Sequence, residues 1–323
     1  MINVPIITVL LISYNHIDTL EKAINSVLSQ KTNFEFKIII LDDASTDGSR
    51  KIIENYASKH KNITAVIQEK NIGGTQNILE GLKRVETKYF AILETDDYWC
   101  DDNKLQMQVD ILEKHDDCSF CAHNTLVDYQ SNKKTKPFLN KKTQKYFFPK
   151  RITSKYFIEP HTSSRVYRAS CLNLAEISDP IVATYDIATN FYFLTKGNLY
   201  YIDKIMSVYN YSQKGIYSGV SPLEQRYRSG YVVYLLNKDF DFKYNHLLAR
   251  FFARRFNLNY LDYLRLKHCK NLKKLDLLYT KKLNEFQEKF LHNWDIKPLV
   301  QFKIPFGSNK KIVFEIKREK ARV

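Results

Sequence analysis

Four short apolar runs, each followed by turn or helix signals, constrain this chain more than any other feature. They are residues 6–13, 36–42, 63–68 and 88–94. Three of them are almost continuously apolar, as expected of parallel strands covered on both faces. Residues 18–29 carry Leu20, Ala23, Ile24, Val27 and Leu28 on one helical face. Ser45-Thr46-Asp47 supplies capping chemistry for a second helix, and Gly73-Gly74 turns into a third that runs to about Val85. The order β-α-β-α-β-α-β predicts an α/β fold: a mostly parallel, Rossmann-like sheet with helices on both faces. In sheets of this kind ligands bind outside the carboxyl ends of the strands.

Two of the runs end in acids. Residues 36–41 lead into Asp42-Asp43, and residues 89–93 lead into Glu94-Thr95-Asp96-Asp97. Carboxylates set side by side repel and are costly to desolvate. A hard divalent cation is the usual partner of such a cluster. Both clusters fall at the same sheet edge, which points to one site.

Further along, residues 102–115 read as a helix and 118–129 as a strand. Residues 130–155 are polar, carry nine Lys/Arg between Asn132 and Lys155, and read as a mobile loop. Residues 182–195 read as a helix carrying Asp186, and 199–209 as a strand. Beyond Pro222 the pattern is helical, aromatic and basic. The net charge of +15 is concentrated there: residues 220–323 hold 23 Lys+Arg against 10 Asp+Glu, and residues 1–219 hold 27 against 25. This divides the chain at about residue 219 into an α/β part and a basic C-terminal region. No apolar run approaches the roughly 18 residues of a membrane span. The run from Val4 to Ile12 lacks the basic start and cleavage site of a signal peptide. Five cysteines without an export signal fit a reducing, cytoplasmic setting.

Four segments together resemble the family 2, GT-A-type glycosyltransferases. They are Thr8 to Asn15, Leu41 to Ser49, Asn71-Ile72-Gly73-Gly74 with Asn77 and Gly81-Leu82, and Glu94 to Trp99. The resemblance covers about residues 4–125, and more loosely reaches 219. It implies a GT-A domain over 1–219, with a nucleotide-sugar half over about 1–100 and an acceptor half over about 101–219. It implies hexosyl transfer from a UDP-sugar to a hydroxyl of a glycan acceptor. By the resemblance, Tyr14 and the backbone at Ile12 line the nucleobase pocket, Asp43 accepts from the base, and Asp96 reaches the ribose. Asp97 holds Mn²⁺ or Mg²⁺. Asp186 is the general base of a single inverting displacement, and His161-Thr162-Ser163-Ser164 lines the acceptor side. The family's Tyr-Arg-x-His is replaced by Tyr209-Asn210-Tyr211-Ser212, so both the Arg and the His are missing.

Other readings compete. A metal-dependent nucleotidyltransferase also uses strand-end carboxylates, but Ser13-Tyr14-Asn15-His16 is no triphosphate loop. Cys118, Cys121 and His123 suggest a metal or redox site, but positions i and i+3 of a strand face opposite ways. No module for nucleic acid is present. The interleaved Arg250 to Phe256 and Tyr260 to Leu266 segments suit an anionic membrane surface. With the resemblance, whose usage together with a chain rich in Lys, Ile and Asn points to bacterial surface-glycan synthesis, these features imply a peripheral enzyme working on a lipid-linked acceptor at the inner face of the cytoplasmic membrane. A non-catalytic membrane-surface binding protein is the remaining alternative.

Overall fold

A computed structural model of the chain describes residues 5–129, 134–139, 146–147, 159–177, 179, 185–211, 219 and 221–290. The first half alternates strand and helix: β1 (Ile7–Ser13), α1 (Ile17–Leu28), β2 (Phe36–Asp42), α2 (Ser49–Lys59), β3 (Ile63–Ile67), α3 (Gly74–Leu82) and β4 (Tyr89–Glu94). Then come β5 (Tyr98–Trp99), α4 (Lys104–Lys114), β6 (Cys118–Tyr129), β7 (Lys134–Pro137), β8 (Tyr146–Phe147) and β9 (Val166–Arg168). They are followed by α5 (Asp186–Lys196) and β10 (Asn198–Tyr211). Four helices close the described chain: α6 (Pro222–Asp239), α7 (Asn245–Arg255), α8 (Tyr260–His268) and α9 (Leu272–Phe290).

The strands form one sheet in the order β3-β2-β1-β4-β9-β6-β10-β5, with β7 paired to β6 and β8 to β10. The long pairings, β1 with β2 and β4, β2 with β3, and β6 with β10, are parallel. The short strands β5, β7, β8 and β9 are antiparallel additions that the apolar pattern does not reveal. Side-chain alternation along β1 builds both faces. Ile7, Val9 and Leu11 pack against α1, α2 and α4, through Leu20, Ile24, Val27, Ile53, Leu105, Val109 and Leu112. Leu10 and Ile12 face α3 and α5. Gly81 permits close packing of α3 on the sheet, because a Cβ there would sit 2.9 Å from Leu41 Cδ1.

Some sequence expectations shift. The second helix begins at Ser49, not at Ser45 to Asp47, because Gly48 adopts φ +100° and Asp47 Oδ1 accepts from the Ser49 amide instead. The expected loop at 130–155 contains β7 and β8; its other residues lie outside the described set, as do 182–184, Ser212 and 291–323. Helices α6 to α9 share a cluster of their own around Phe252, Phe256, Leu275, Tyr279 and Phe286. Through Val232, Val233 and Leu236, α6 also joins the core under α3 and α5.

Cys118 and Cys121 pack in the same apolar cluster, not on opposite faces, because the β6–β10 register shifts beside Ser119. Burial pushes both thiols up to about 12 and pushes His123 well below the usual imidazole range. They stay neutral, as structural groups do.

Candidate active site

The ends of β1 and β2 are locked together. Asn15 and Ala44, the second residues beyond each strand, adopt φ +54° and +59°. The Asn15 amide donates to Ser45 Oγ at 2.8 Å, and its side-chain oxygen accepts from the Thr46 amide at 2.8 Å. Asp42 accepts from the Ser45 amide at 3.0 Å. Asp43, almost fully buried, accepts from the Ile72 and Gly73 amides at 2.7 and 2.9 Å. Its acidity is weakened by burial, an effect the two amides oppose and Asp42 reinforces. Tyr14 is exposed at the mouth of this notch. The Ile12 carbonyl is already engaged by the Thr95 amide and hydroxyl, at 2.9 and 3.1 Å.

At the end of β4, Glu94, Asp96 and Asp97 bring carboxylate oxygens within 4.8 Å of one another. Glu94 is exposed at the strand end, with other parts of the chain packed close around it. That crowding, with Asp96 and Asp186 nearby, pushes its carboxyl up to about 8. Burial, then Asp96 and Glu94, raise Asp97 well above the carboxylate range. Asp97 Oδ1 accepts from the Asn210 amide at 3.0 Å, while Asp97 Oδ2 and Asp96 Oδ1 are buried with no hydrogen-bond partner among the described residues. Hard oxygen donors, mutual repulsion and two orphaned oxygens fit a divalent cation.

Asp186 opens α5 across from this cluster. Thr162 Oγ1 donates to its carboxylate, and the Arg165 guanidinium lies 3.7 Å from the same oxygen. Arg165 is fully buried and also donates to the Pro160 carbonyl, to Tyr167 Oη and to the Asp186 carbonyl. His161 is buried with Nδ1 3.7 Å from Asp97 Oδ2 and 2.9 Å from Ser163 Oγ. Burial pushes its imidazole down to about 4, so it is neutral near pH 7.

The structure thus brings Asp96, Asp97, Asp186 and His161 to one cleft, with Asp43 and Tyr14 at the adjoining strand ends. Sequence reasoning missed Arg165 and Asn210 as parts of it, and named Thr162 only within the acceptor-side stretch, not as a partner of Asp186. Asn210 stood out only as the place where an expected Arg is absent, yet its amide ties β10 to Asp97. Nothing in the spacing of Arg165 distinguishes a buried cation from a surface one.

A sequence model of Glycosyl transferase family 2 matches residues 8–171, about half of the chain. The fold and the strand-end carboxylates are of that kind, and the chain belongs to this family. Among its relatives, an uncharacterized Mycobacterium tuberculosis protein is 33% identical over 158 residues, covering 49% of this chain and 45% of that protein. The putative teichuronic acid biosynthesis glycosyltransferase TuaG of Bacillus subtilis is 35% identical over 116 residues, or 36% and 45% of the two chains. The chain thus spans less than half the length of these relatives. S. aureus TarS in complex with UDP-GlcNAc superposes with TM-score 0.60 at 18% identity, covering 87% of this chain and 80% of that one. The mannosyltransferase PcManGT of Pyrobaculum calidifontis, in complex with GDP-Man and Mn²⁺, gives 0.56 at 13% identity, covering 90% and 88%. These likenesses establish the GT-A fold.

Proposed function

We propose that the chain is an inverting glycosyltransferase that moves a hexose from a UDP-sugar to a hydroxyl of a lipid-linked glycan acceptor, in bacterial surface-glycan synthesis. The observation that carries this reading is the cleft where partnerless carboxylate oxygens of Asp96 and Asp97 face Asp186. Family membership sets aside nucleotidyl transfer and a purely binding role. TuaG, named for teichuronic acid biosynthesis, supports the glycan assignment. TarS, solved with UDP-GlcNAc, supports the uridine donor, and PcManGT, solved with Mn²⁺, supports the metal.

Tyr14 offers a ring to the nucleobase, Ile12 backs the pocket, and Asp43 keeps lone pairs free beyond its two amide bonds. Asp96 Oδ1 accepts from a ribose hydroxyl. Asp97 would hold Mn²⁺ or Mg²⁺. When bound, such an ion offsets the charge that builds on the diphosphate as the glycosidic bond breaks. Asp186, oriented by Thr162 and Arg165, takes the proton of the acceptor hydroxyl as that oxygen attacks the anomeric carbon. Neutral His161 fills the acceptor side next to Asp97. No helix among the described residues is long and apolar enough to cross a membrane. The basic helices α6 to α9 would hold the enzyme on the anionic inner face.

A thermal-shift screen of UDP-, GDP- and CDP-sugars with Mn²⁺ tests the donor, with stabilisation by UDP-sugars expected. Asp97→Ala should weaken Mn²⁺-dependent UDP binding. Asp186→Asn should lower kcat by about 10²-fold or more with little change in UDP affinity. Full turnover in either variant would sink its assigned role.

A further inference from the structure

Five aromatic rings form a continuous row from the cleft outward along β6, β7 and β10. Phe138 meets His161 edge-on with centroids 5.4 Å apart, and His161 stacks on Tyr209 at 4.4 Å. Tyr209 meets Tyr211 edge-on at 5.9 Å, and Tyr211 tilts against Tyr129 at 5.1 Å. The Lys136 ammonium lies 4.9 Å from the Tyr129 ring centroid and closes the outer end. The register explains the row. Tyr209 and Tyr211 are two apart on β10 and so share a face. Tyr211 pairs with Tyr129 across the parallel β6–β10 ladder.

The inner end of the row lies at the reacting groups. His161 is 3.7 Å from Asp97, and the next residue, Thr162, donates to Asp186. Phe138 is 37% exposed, and the three tyrosines are half-buried. Phe138 is nevertheless held in place. Its amide donates to the Thr125 carbonyl at 2.7 Å, and the Asn124 side chain grips both the amide and the carbonyl of Leu139. The backbone that carries Phe138 is thus tied to β6, and the ring joins a row of five rather than standing alone on the surface.

We propose that this row is the acceptor subsite and that its occupant is a saccharide chain of more than one sugar. The inference rests on the transferase reading above. The apolar faces of the sugar rings stack on Phe138, Tyr209 and Tyr211, while the tyrosine hydroxyls meet the sugar edges. A hydrocarbon chain would want an unbroken apolar groove, but β7 borders the row with exposed Lys134, Thr135 and Lys136. The row also extends past one ring, which sets the occupant's minimum length. The terminal acceptor hydroxyl then reaches Asp186. Its proton passes to that carboxylate, its oxygen bonds to the anomeric carbon, and UDP leaves with the electrons of the broken bond.

The test measures affinity for chito-oligosaccharides and oligogalacturonates of one to six units by titration calorimetry, with UDP binding measured on the same samples. Affinity for at least one series should rise about tenfold or more with length. That rise should flatten in a Phe138→Ala/Tyr211→Ala double variant and persist in Tyr211→Phe, with cooperative melting reporting that each variant folds. No saccharide binding, length-independent binding, or a rise that survives the double variant would overturn the subsite. Length-dependent binding without UDP binding would overturn the donor assignment and leave the subsite standing.

Discussion

Lys104 shows how a single residue departs from its type. It is fully buried on α4 with Nζ 4.0 Å from the Trp99 ring centroid, and its amine finds no hydrogen-bond partner. Burial pushes it from 10.5 down to about 7. Between those values the unfolded chain holds a proton that the folded chain lacks, so this residue's cost is full below about pH 7 and fades toward pH 10.5. Lys104→Met should therefore stabilise the protein by roughly 1–3 kcal/mol near pH 6–7. Melting curves of the two proteins should converge toward pH 10, and a gap that does not change with pH would refute this origin. At the same scale, sequence disclosed the acids and not their supports. Asp43, Asp96, Asp97 and Asp186 stand at strand and helix ends where chemistry is expected. Arg165 and Lys104 look like any other basic residues, because burial of a cation is decided by distant packing.

At the scale of elements, the apolar runs disclosed the long parallel strands because those strands are covered on both faces. The short antiparallel strands were hidden, since two to four residues carry no period. Lys134–Pro137 is wholly exposed, so nothing in its composition marks it as a strand. Close helix contacts are equally invisible until seen. On α6 a Cβ at Gly230 would fall 1.9 Å from the Phe256 ring at the end of α7. Gly230→Ala gains helix propensity yet overpacks that contact, and should destabilise the protein by about 1–3 kcal/mol in denaturant titration. A neutral or stabilising result would mean that the ring swings aside at no cost.

For the whole molecule, charge is segregated along the sequence. The α/β part is nearly neutral, and residues 220–323 carry a net +13. Leu261, Leu272 and Leu277 are exposed on α8 and α9 among lysines. Sedimentation with vesicles containing anionic lipid should pull the protein down at low salt and release it as salt rises. Equal binding to neutral vesicles, or none to anionic ones, would exclude the membrane assignment. The charge segregation was legible from composition. The sharing of α6 between two cores was not, because its apolar residues cover both sides of the helix.

Strand β9 has a consequence of its own. Three residues, Val166–Arg168, separate β4 from β6 and run antiparallel to both. The two parts of the sheet therefore meet through a narrow seam, and the family match ends just past it, at residue 171. Upstream of the seam lie the residues that the family model matches; Asp186 and the aromatic residues of β10 lie downstream. What joins the two sets is the register of β9 with β4 and β6. A slip of one residue there would turn each of its side chains to the opposite face and unmake the alignment of both halves.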